Sequence, residues 1–263
     1  MKSKLHYSAV AALTMGLVSS ASAATYFQDF NGFTDGDTTV GDGSQFNGTA
    51  NVLGGQLELT RDGVAGGGAS FNAPAVAGSS NGWSATFEFT IFDSAGNNEP
   101  ADGFSFNYGD FTLGEIGSAE EGMAAAGGVT ENLSFEVDTW MNLDAEQGVN
   151  LAEKVGGVDT PLGFTNGSIL SDGTTVSGIA TLSWSPADGA SFSTTGLLTN
   201  ANFVNVATTF SANDAHLFGF SARVGGANQT VTIDNLSITT VPEPSGTALL
   251  GLSCLGLLLR RRR

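Results

Sequence analysis

The sequence contains a single cysteine in 263 residues, Cys254, which lies close to the C-terminus. One thiol cannot form a disulfide within the chain, and residues 24–241 have no cysteine with which to build a thiol catalyst or a zinc site. Histidine is scarce as well, because His216 is the only one in this stretch. We expect His216 to be a packed or edge residue rather than a ligand.

Basic side chains are also few. Nine Lys and Arg stand against 26 Asp and Glu, for a net charge of −17. Six of the nine bases lie at the two chain ends, whereas all but one of the acids lie within residues 24–241, which therefore carry −22. A surface this negative repels phosphate backbones, which excludes nucleic acid as a partner and disfavours anionic membrane surfaces. Divalent cations and neutral polar ligands remain open.

The N-terminus has the three parts of a secretory signal. Lys2 and Lys4 give a positive start, residues 9–18 are apolar, and the small residues Ala21 and Ala23 flank Ser22 at a cleavage site. We therefore predict a signal peptide over residues 1–23 and an exported mature protein. The alternative interpretation is an ordinary N-terminal helix.

The C-terminus carries a second unusual pattern. The tripeptide Pro242, Glu243 and Pro244 precedes an apolar run over residues 246–259, and the chain ends in four arginines, Arg260, Arg261, Arg262 and Arg263. The apolar run predicts a short helix of about 21 Å, less than the roughly 30 Å hydrocarbon core of a bilayer. As a permanent anchor it is marginal, which suits a segment that holds the protein briefly for processing.

This tail resembles the PEP-CTERM sorting signal of Gram-negative bacteria, which combines the same three parts in the same order. The resemblance implies recognition by an exosortase-type membrane transpeptidase, transient anchoring in the inner membrane and removal of the tail. It also implies delivery to the cell surface or the extracellular matrix. The alternative is a plain C-terminal membrane anchor. The chain is thus divided into a signal peptide (1–23), a central domain (24–240) and a sorting segment (241–263).

The central domain alternates apolar and polar residues with a period of two, and its glycines fall mostly between the alternating runs. Eighteen Phe and three Trp are enough to build a core. We predict an all-β antiparallel sandwich, with one short helix over residues 119–126. The clearest strands are 56–60, 83–92, 104–108, 133–140, 179–184, 216–224 and 230–238.

One predicted strand carries carboxylates on a single face. Glu136, Asp138 and Trp140 alternate with Phe135 and Val137, so the two carboxylates point the same way about 6.5–7 Å apart. Like charges at this spacing repel each other unless a cation or a proton lies between them. Further oxygen ligands follow in Asn142, Asp144 and Glu146. This pattern favours Ca²⁺, and the alternative is a solvated polar face.

Three segments together resemble the concanavalin A-like, L-type lectin pattern: residues 101–106 (ADGFSF), 135–142 (FEVDTWMN) and 218–226 (FGFSARVGG). The resemblance implies a jelly-roll sandwich and a carbohydrate site. It implies that Asp102, in a turn with Gly103, accepts hydrogen bonds from sugar hydroxyls. Other residues implied at the sugar are Asn142, Gly225, Gly226 and Asn228.

The same resemblance implies a metal site beside the sugar, held by Glu136, Asp138, the carbonyl of Trp140, Asn142, and Asp144 or Glu146. The family pattern has a histidine after this acidic loop, and residues 148–154 contain none. Because this histidine is missing and Asn150 stands near its place, a transition-metal site is not expected. Ca²⁺ is the only cofactor indicated, and no organic cofactor is.

Glycoside hydrolases share this fold, and laminarinase-type enzymes place their carboxyls as Glu-x-Asp-x-Glu or with one more residue before the last Glu. Here Trp140 and Met141 stand where the last Glu belongs, so the general acid/base is missing. A serine triad is not supported either, with one histidine and no Gly-x-Ser-x-Gly turn. We expect a non-catalytic binder of carbohydrate, such as an exopolysaccharide. The alternatives are a structural matrix protein with a degenerate sugar site and, less favoured, a glycoside hydrolase.

Overall fold

The alternating segments form β-strands along most of the central domain. The computed structural model describes residues 22–94, 100–112, 129–140 and 147–242. Its strands are β1 (Thr25–Gln28), β2 (Gln45–Gly48), β3 (Asn51–Leu53), β4 (Gln56–Thr60), β5 (Gly67–Ala73), β6 (Trp83–Phe92), β7 (Gly103–Gly109), β8 (Asn132–Asp138), β9 (Gly148–Val155), β10 (Val158–Asn166), β11 (Thr175–Ser185), β12 (Gly189–Thr194), β13 (Asn202–Val206), β14 (Leu217–Val224) and β15 (Thr230–Thr240). A 3₁₀ turn spans Ser79–Asn81.

The strands pair into two antiparallel sheets. The eight-stranded sheet runs β13-β12-β11-β6-β15-β4-β3, with β1 added beside β15. The seven-stranded sheet runs β10-β9-β8-β7-β14-β5-β2. Neighbours in each sheet come from distant parts of the sequence, as when β14 pairs with both β7 and β5. The predicted all-β antiparallel sandwich is confirmed.

Aromatic side chains from the inner faces of both sheets fill the space between them. Trp83 of β6 packs edge-on against Phe218 of β14, with ring centroids 5.2 Å apart. Phe87 of β6 packs in the same way against Phe220 of β14 at 4.7 Å. Each such ring is removed from water, which contributes roughly 1.5–3 kcal/mol to stability. Because the inner face of each sheet packs into this core, the outer face is the one available for binding.

The first and last strands of the domain, β1 and β15, are hydrogen-bonded to each other. The Thr240 N–H donates to the carbonyl of Ala24 at 2.9 Å, and the Ala24 N–H donates to the Thr240 hydroxyl at 3.1 Å. Residues 23–241 form one compact unit.

Several predictions from the sequence lie outside the described residues: most of the signal peptide including Ala21, the helix at 119–126, and the tail from Glu243 and Pro244 to Arg260–Arg263. Pro242 is described and exposed. Across the described ranges, none of the helical segments has the length and apolar character that would be needed to cross a bilayer.

Candidate functional site

A row of polar side chains crosses the seven-stranded sheet on the face opposite the core. The register places Ser70, Ser221, Ser105, Glu136 and Asn150 side by side on five successive strands, β5, β14, β7, β8 and β9. All except Asn150 are at most 3% exposed. Buried polar groups of this kind need hydrogen-bond partners, so the polar row is a built feature and not a solvated surface.

Hydrogen bonds hold Ser105, Ser221 and Glu136 of the polar row in place. Ser105 Oγ lies 2.8 Å from Ser221 Oγ, and Asn107 Nδ2 donates to Ser105 Oγ at 2.9 Å. The hydroxyl of Ser134 lies 2.7 Å from Glu136 Oε1 and 3.1 Å from Asn107 Oδ1. With one proton, this hydroxyl favours the charged and closer acceptor. The hydrogen bond from Ser134 thus orients the Glu136 carboxylate.

Asp138 ends β8 between two glycines. Its cross-strand neighbours are Gly103 of β7 and Gly148 of β9. A Cβ at either glycine would overlap a backbone carbonyl oxygen, that of Val137 or of Thr165 respectively. Neither cross-strand neighbour of Asp138 therefore has a side chain beside its carboxylate. Its Oδ1 accepts the backbone N–H of Trp140 at 2.9 Å.

The turn that carries Asp102 is bonded to the ends of two strands. The Asp102 N–H donates to the carbonyl of Arg223 at 3.0 Å, and the Asp102 carbonyl accepts the N–H of Thr139 at 3.0 Å. A cis peptide bond joins Ala101 to Asp102. These contacts place the Asp102–Gly103 turn next to the end of β8. On the other side, Arg223 Nε lies 3.8 Å from Asp102 Oδ2.

The loop after β14 borders this turn. Gly225 donates its N–H to the carbonyl of Ala227 at 3.1 Å and accepts the N–H of Gly66 at 2.9 Å. An added Cβ at Gly225 or Gly226 would meet open space. Asn228 is 7% exposed, and its Oδ1 accepts the N–H of Gly63 at 2.6 Å. Its side-chain oxygen is thus engaged within the protein.

The structure brings together part of the residue set expected from the sequence. Asp102, Gly103, Glu136, Asp138 and Trp140 lie at adjoining strand ends, with Gly225 and Gly226 in the loop after β14. Asn142, Asp144 and Glu146 lie outside the described residues. Within the described part of the chain, no three acidic, histidine or cysteine side chains form a cluster able to hold a metal. The expected calcium site therefore depends on residues 141–146.

Sequence reasoning missed the serines of the polar row and Asn107, which bonds to Ser105. Their signal was present as the alternation in Phe104-Ser105-Phe106-Asn107, but an alternating polar face normally predicts solvent. Asn150, expected near the position of the missing histidine, is the direct cross-strand neighbour of Glu136. Its side chain ends in an amide, at the place where the family pattern has the imidazole of a histidine.

His216 lies away from the polar row and is packed between aromatic rings. Its ring centroid is 5.6 Å from that of Tyr108 and 5.7 Å from that of Phe210. Burial lowers the pKa of His216, while the charges of Asp110 and Glu131 act in the opposite direction. The prediction that His216 is a packed residue is confirmed.

The comparisons with known proteins concern the fold. No family model matches the sequence, and no curated protein matches it. Among solved structures, peanut lectin superposes with a TM-score of 0.58 at 16% identity, over 84% of this chain and 98% of its own. The fold is that of the L-type lectins.

Two further lectin-type structures extend this likeness. Basic winged bean lectin in complex with Tn-antigen gives a TM-score of 0.59 at 14% identity, over 82% of this chain and 98% of its own. The exoplasmic/lumenal domain of VIP36, in its Ca²⁺/Man-bound form, gives 0.58 at 14% identity, over 75% and 83%. The lectin-type fold of this chain thus spans nearly the whole length of the plant proteins.

Proposed function

We propose that this protein is an exported, non-catalytic carbohydrate-binding protein whose site lies where the Asp102–Gly103 turn meets the end of β8. The observation that carries the proposal is the hydrogen bond from Thr139 N–H to the Asp102 carbonyl. It holds a turn with an acidic side chain against a strand that presents Glu136 and Asp138. An aspartate beside a fixed loop is the kind of acceptor that adjacent sugar hydroxyls bind.

The comparisons support the choice of ligand class. Winged bean lectin is described with Tn-antigen and VIP36 with Ca²⁺ and mannose. In this chain the fold is the same, and the acidic body repels anionic polymers but not neutral sugars. We therefore favour a neutral polysaccharide, such as an exopolysaccharide.

Calcium fits the donor atoms of the site. The Glu136 and Asp138 carboxylates are buried and lie two residues apart on one face of β8. Oxygen ligands without thiols or imidazoles suit Ca²⁺. Trp140 would add its carbonyl, and Asn142 with Asp144 or Glu146 would complete the set. The ion would fix the end of β8, beside the Asp102–Gly103 turn.

The chain ends supply the cellular context of the proposal. The signal peptide would export the protein, and the tail from Pro242 to Arg263 would anchor it briefly in the inner membrane for an exosortase-type enzyme. The mature protein would act at the cell surface or in the extracellular matrix of a Gram-negative bacterium. No nucleic-acid partner fits the charge of −22 on residues 24–241.

Two observations favour a second candidate, a structural matrix protein with a degenerate sugar site. Arg223 lies 3.8 Å from the Asp102 carboxylate, and Asn228 already accepts a backbone hydrogen bond. Both groups would have to exchange these partners to bind a sugar. In the structural alternative, these contacts are permanent and no glycan is retained.

A glycan array on the full-length protein, read with Ca²⁺ and with a chelator, tests the proposal. Asp102→Asn keeps the shape of the side chain and should abolish glycan retention, because the acceptor charge is lost. The matched control is Asp159→Asn, which removes an exposed carboxylate from the opposite end of the seven-stranded sheet. This control should bind as the unaltered protein does.

Three results would contradict the proposal. Absence of any retained glycan would favour the structural alternative. Equal retention by Asp102→Asn and Asp159→Asn would mean that sugar binds elsewhere. Release of reducing sugar that is lost in Glu136→Gln would establish a hydrolase.

A further inference from the structure

The outer face of the eight-stranded sheet carries a groove with a volume of about 360 Å³, within the roughly 300–1,000 Å³ of small-ligand sites. Its residues lie on four neighbouring strands, β11, β6, β15 and β4. On β6 the groove is lined by Glu88 and Thr90, which alternate with the buried core residues Phe87 and Ile91. Because neighbouring strands lie about 4.8 Å apart, the groove extends about 14 Å across the sheet. This length suits a short chain of linked rings.

Polar side chains line most of the groove. The register puts Thr90 between Ser177 of β11 and Thr232 of β15. Thr90 Oγ1 lies 2.8 Å from Ser177 Oγ, and Thr195 Oγ1 accepts the N–H of Ile179 at 3.2 Å. These hydroxyls are therefore held in place before a ligand binds, which lowers the entropy cost of binding. The polar side chains of the groove are Gln56, Glu88, Thr90, Ser177, Thr195 and Thr232.

Exposed apolar side chains lie beside these hydroxyls. Ile179 lines the groove opposite Glu88 and is 45% exposed. Phe92, the next residue after Thr90 on the outer face of β6, is 40% exposed. A sugar ring has a C–H face that packs on apolar side chains and hydroxyls that need polar partners. The groove offers both kinds of surface.

The charge of the groove limits the class of ligand. Among the described residues that line it, Glu88 is acidic and none is basic. The cross-strand neighbour of Glu88 on β15 is Asp234, a second carboxylate. An anionic chain would be repelled here. The described residues form no acidic group that could hold a metal, so the groove fits a neutral ligand with many hydroxyls.

We propose that this groove binds a neutral glycan chain, as a second site separate from the one at Asp102. The inner faces of the two sheets pack against each other, so the groove and the Asp102–Gly103 turn belong to different sides of the sandwich. The proposal rests on the ligand class of the proposed function, but no residue of the groove takes part in the Asp102 site. One molecule would then hold two chains and cross-link a polysaccharide.

Binding in the groove should be weak. Glu88, Ser177, Ile179 and Thr195 are all exposed, so the groove is open to solvent. An open groove leaves part of a ligand in water, and we expect a dissociation constant on the order of 1 mM for a short chain. Such a complex dissociates during the washes of an array. Retention on an array therefore reports the Asp102 site, and the groove requires a measurement at equilibrium.

Ligand-observed NMR on the full-length Asp102→Asn protein, with a chelator present, tests the groove. The probes are three neutral hexasaccharides of glucose: laminarihexaose, cellohexaose and maltohexaose. At least one should bind, whereas a hexamer of galacturonic acid should not, because its carboxylates are repelled.

Variants added to this background locate the binding. Ser177→Trp fills the groove and should abolish binding. The matched control is Thr181→Trp, at another exposed position on the same face of β11 but outside the groove, and it should leave binding unchanged. Ile179→Ala, an exposed and therefore mild change, should weaken binding by about fivefold through lost apolar contact.

Two outcomes would overturn the proposal. One is the absence of binding by all three neutral hexasaccharides up to about 10 mM, well above the expected constant. The other is the same affinity in Ser177→Trp and Thr181→Trp. The Asp102 site is tested separately by retention on the array, so each site can fail while the other result stands.

Discussion

At the scale of single residues, hydrogen bonds determine how carboxylates respond to pH. Asp110 follows β7 and accepts three hydrogen bonds: from the N–H of Thr130 at 2.9 Å, the hydroxyl of Thr130 at 2.6 Å and the N–H of Glu131 at 3.0 Å. Burial alone would raise its pKa, but these bonds outweigh burial, and the pKa lies below the usual value of 3.8. The charged form therefore stabilises the fold.

We predict that Asp110→Asn lowers the free energy of unfolding at pH 7 by about 1–2 kcal/mol, since charge-assisted bonds are replaced by weaker ones. The contribution of the carboxylate is present above pH 3.8 and is lost as the pH falls through the lower folded pKa. The difference between variant and unaltered protein should thus shrink at about pH 3. Urea denaturation at both pH values measures it.

The control for this change is Asp159→Asn. Asp159 is 65% exposed and has one ion pair with Lys154 at 3.6 Å, so its loss should change stability by less than about 1 kcal/mol at pH 7. A loss in Asp110→Asn that stays constant from pH 7 to pH 3 would contradict the assigned role of its charge.

At the scale of elements, glycines at hairpin turns differ in what surrounds them. Gly189 starts β12 with φ +77°, and an added Cβ would overlap the carbonyl oxygen of Val206. Gly156, in the turn between β9 and β10, has φ +58° and nothing within 4 Å of an added Cβ. The two positions therefore separate backbone strain from steric overlap.

We predict that Gly156→Ala lowers stability by about 1–2 kcal/mol, the strain of an L-residue in the left-handed region. Gly189→Ala should cost that strain and about 1–3 kcal/mol more, because β13 must move away. Thermal melting of both variants measures the difference. Equal losses of stability in the two variants would show that β13 moves away at this turn without an energetic cost.

The element scale also shows how far the sequence predicted the structure. The seven strands with clear alternation appear within a few residues of their predicted bounds, and β6 matches 83–92. The other eight strands were not among the clear cases, and β10 shows one reason, because Val158–Asn166 is largely exposed and contains Pro161. Its pairing with β9 alone makes it a strand. Local pattern identifies a strand where the alternation is regular, and the remaining strands depend on tertiary pairing.

The candidate site was predictable in part for the same reason. Glu136 and Asp138 were evident from alternation within one strand. The pairing of Ser105 with Ser221, and the burial of both, depend on register between strands far apart in sequence. Such contacts leave no local pattern, so only the structure reveals them.

At the scale of the whole molecule, residues 24–241 carry a net charge of −22. Charges of one sign repel one another across the surface and oppose the compact state. We predict that raising NaCl from about 0.01 M to about 1 M, which shortens the Debye length from about 30 Å to about 3 Å, raises the melting temperature.

The same titration near pH 4, where Asp and Glu side chains approach half protonation, is the control. There the effect of salt should be much smaller, since little repulsion is left to screen. A salt response of equal size at pH 4 and pH 7 would mean that salt acts through hydration and not through charge.

The placement of the three bases has a consequence for proteolysis. Proteases that cut after Lys or Arg need an accessible, extended segment around the basic residue. Lys154 lies within β9 and Arg223 within β14, both held in a sheet by their neighbours. Only Arg61 lies in a turn, after β4, with half of its side chain exposed. Enzymes of this specificity would therefore find a single point of attack on the folded body, between β4 and β5.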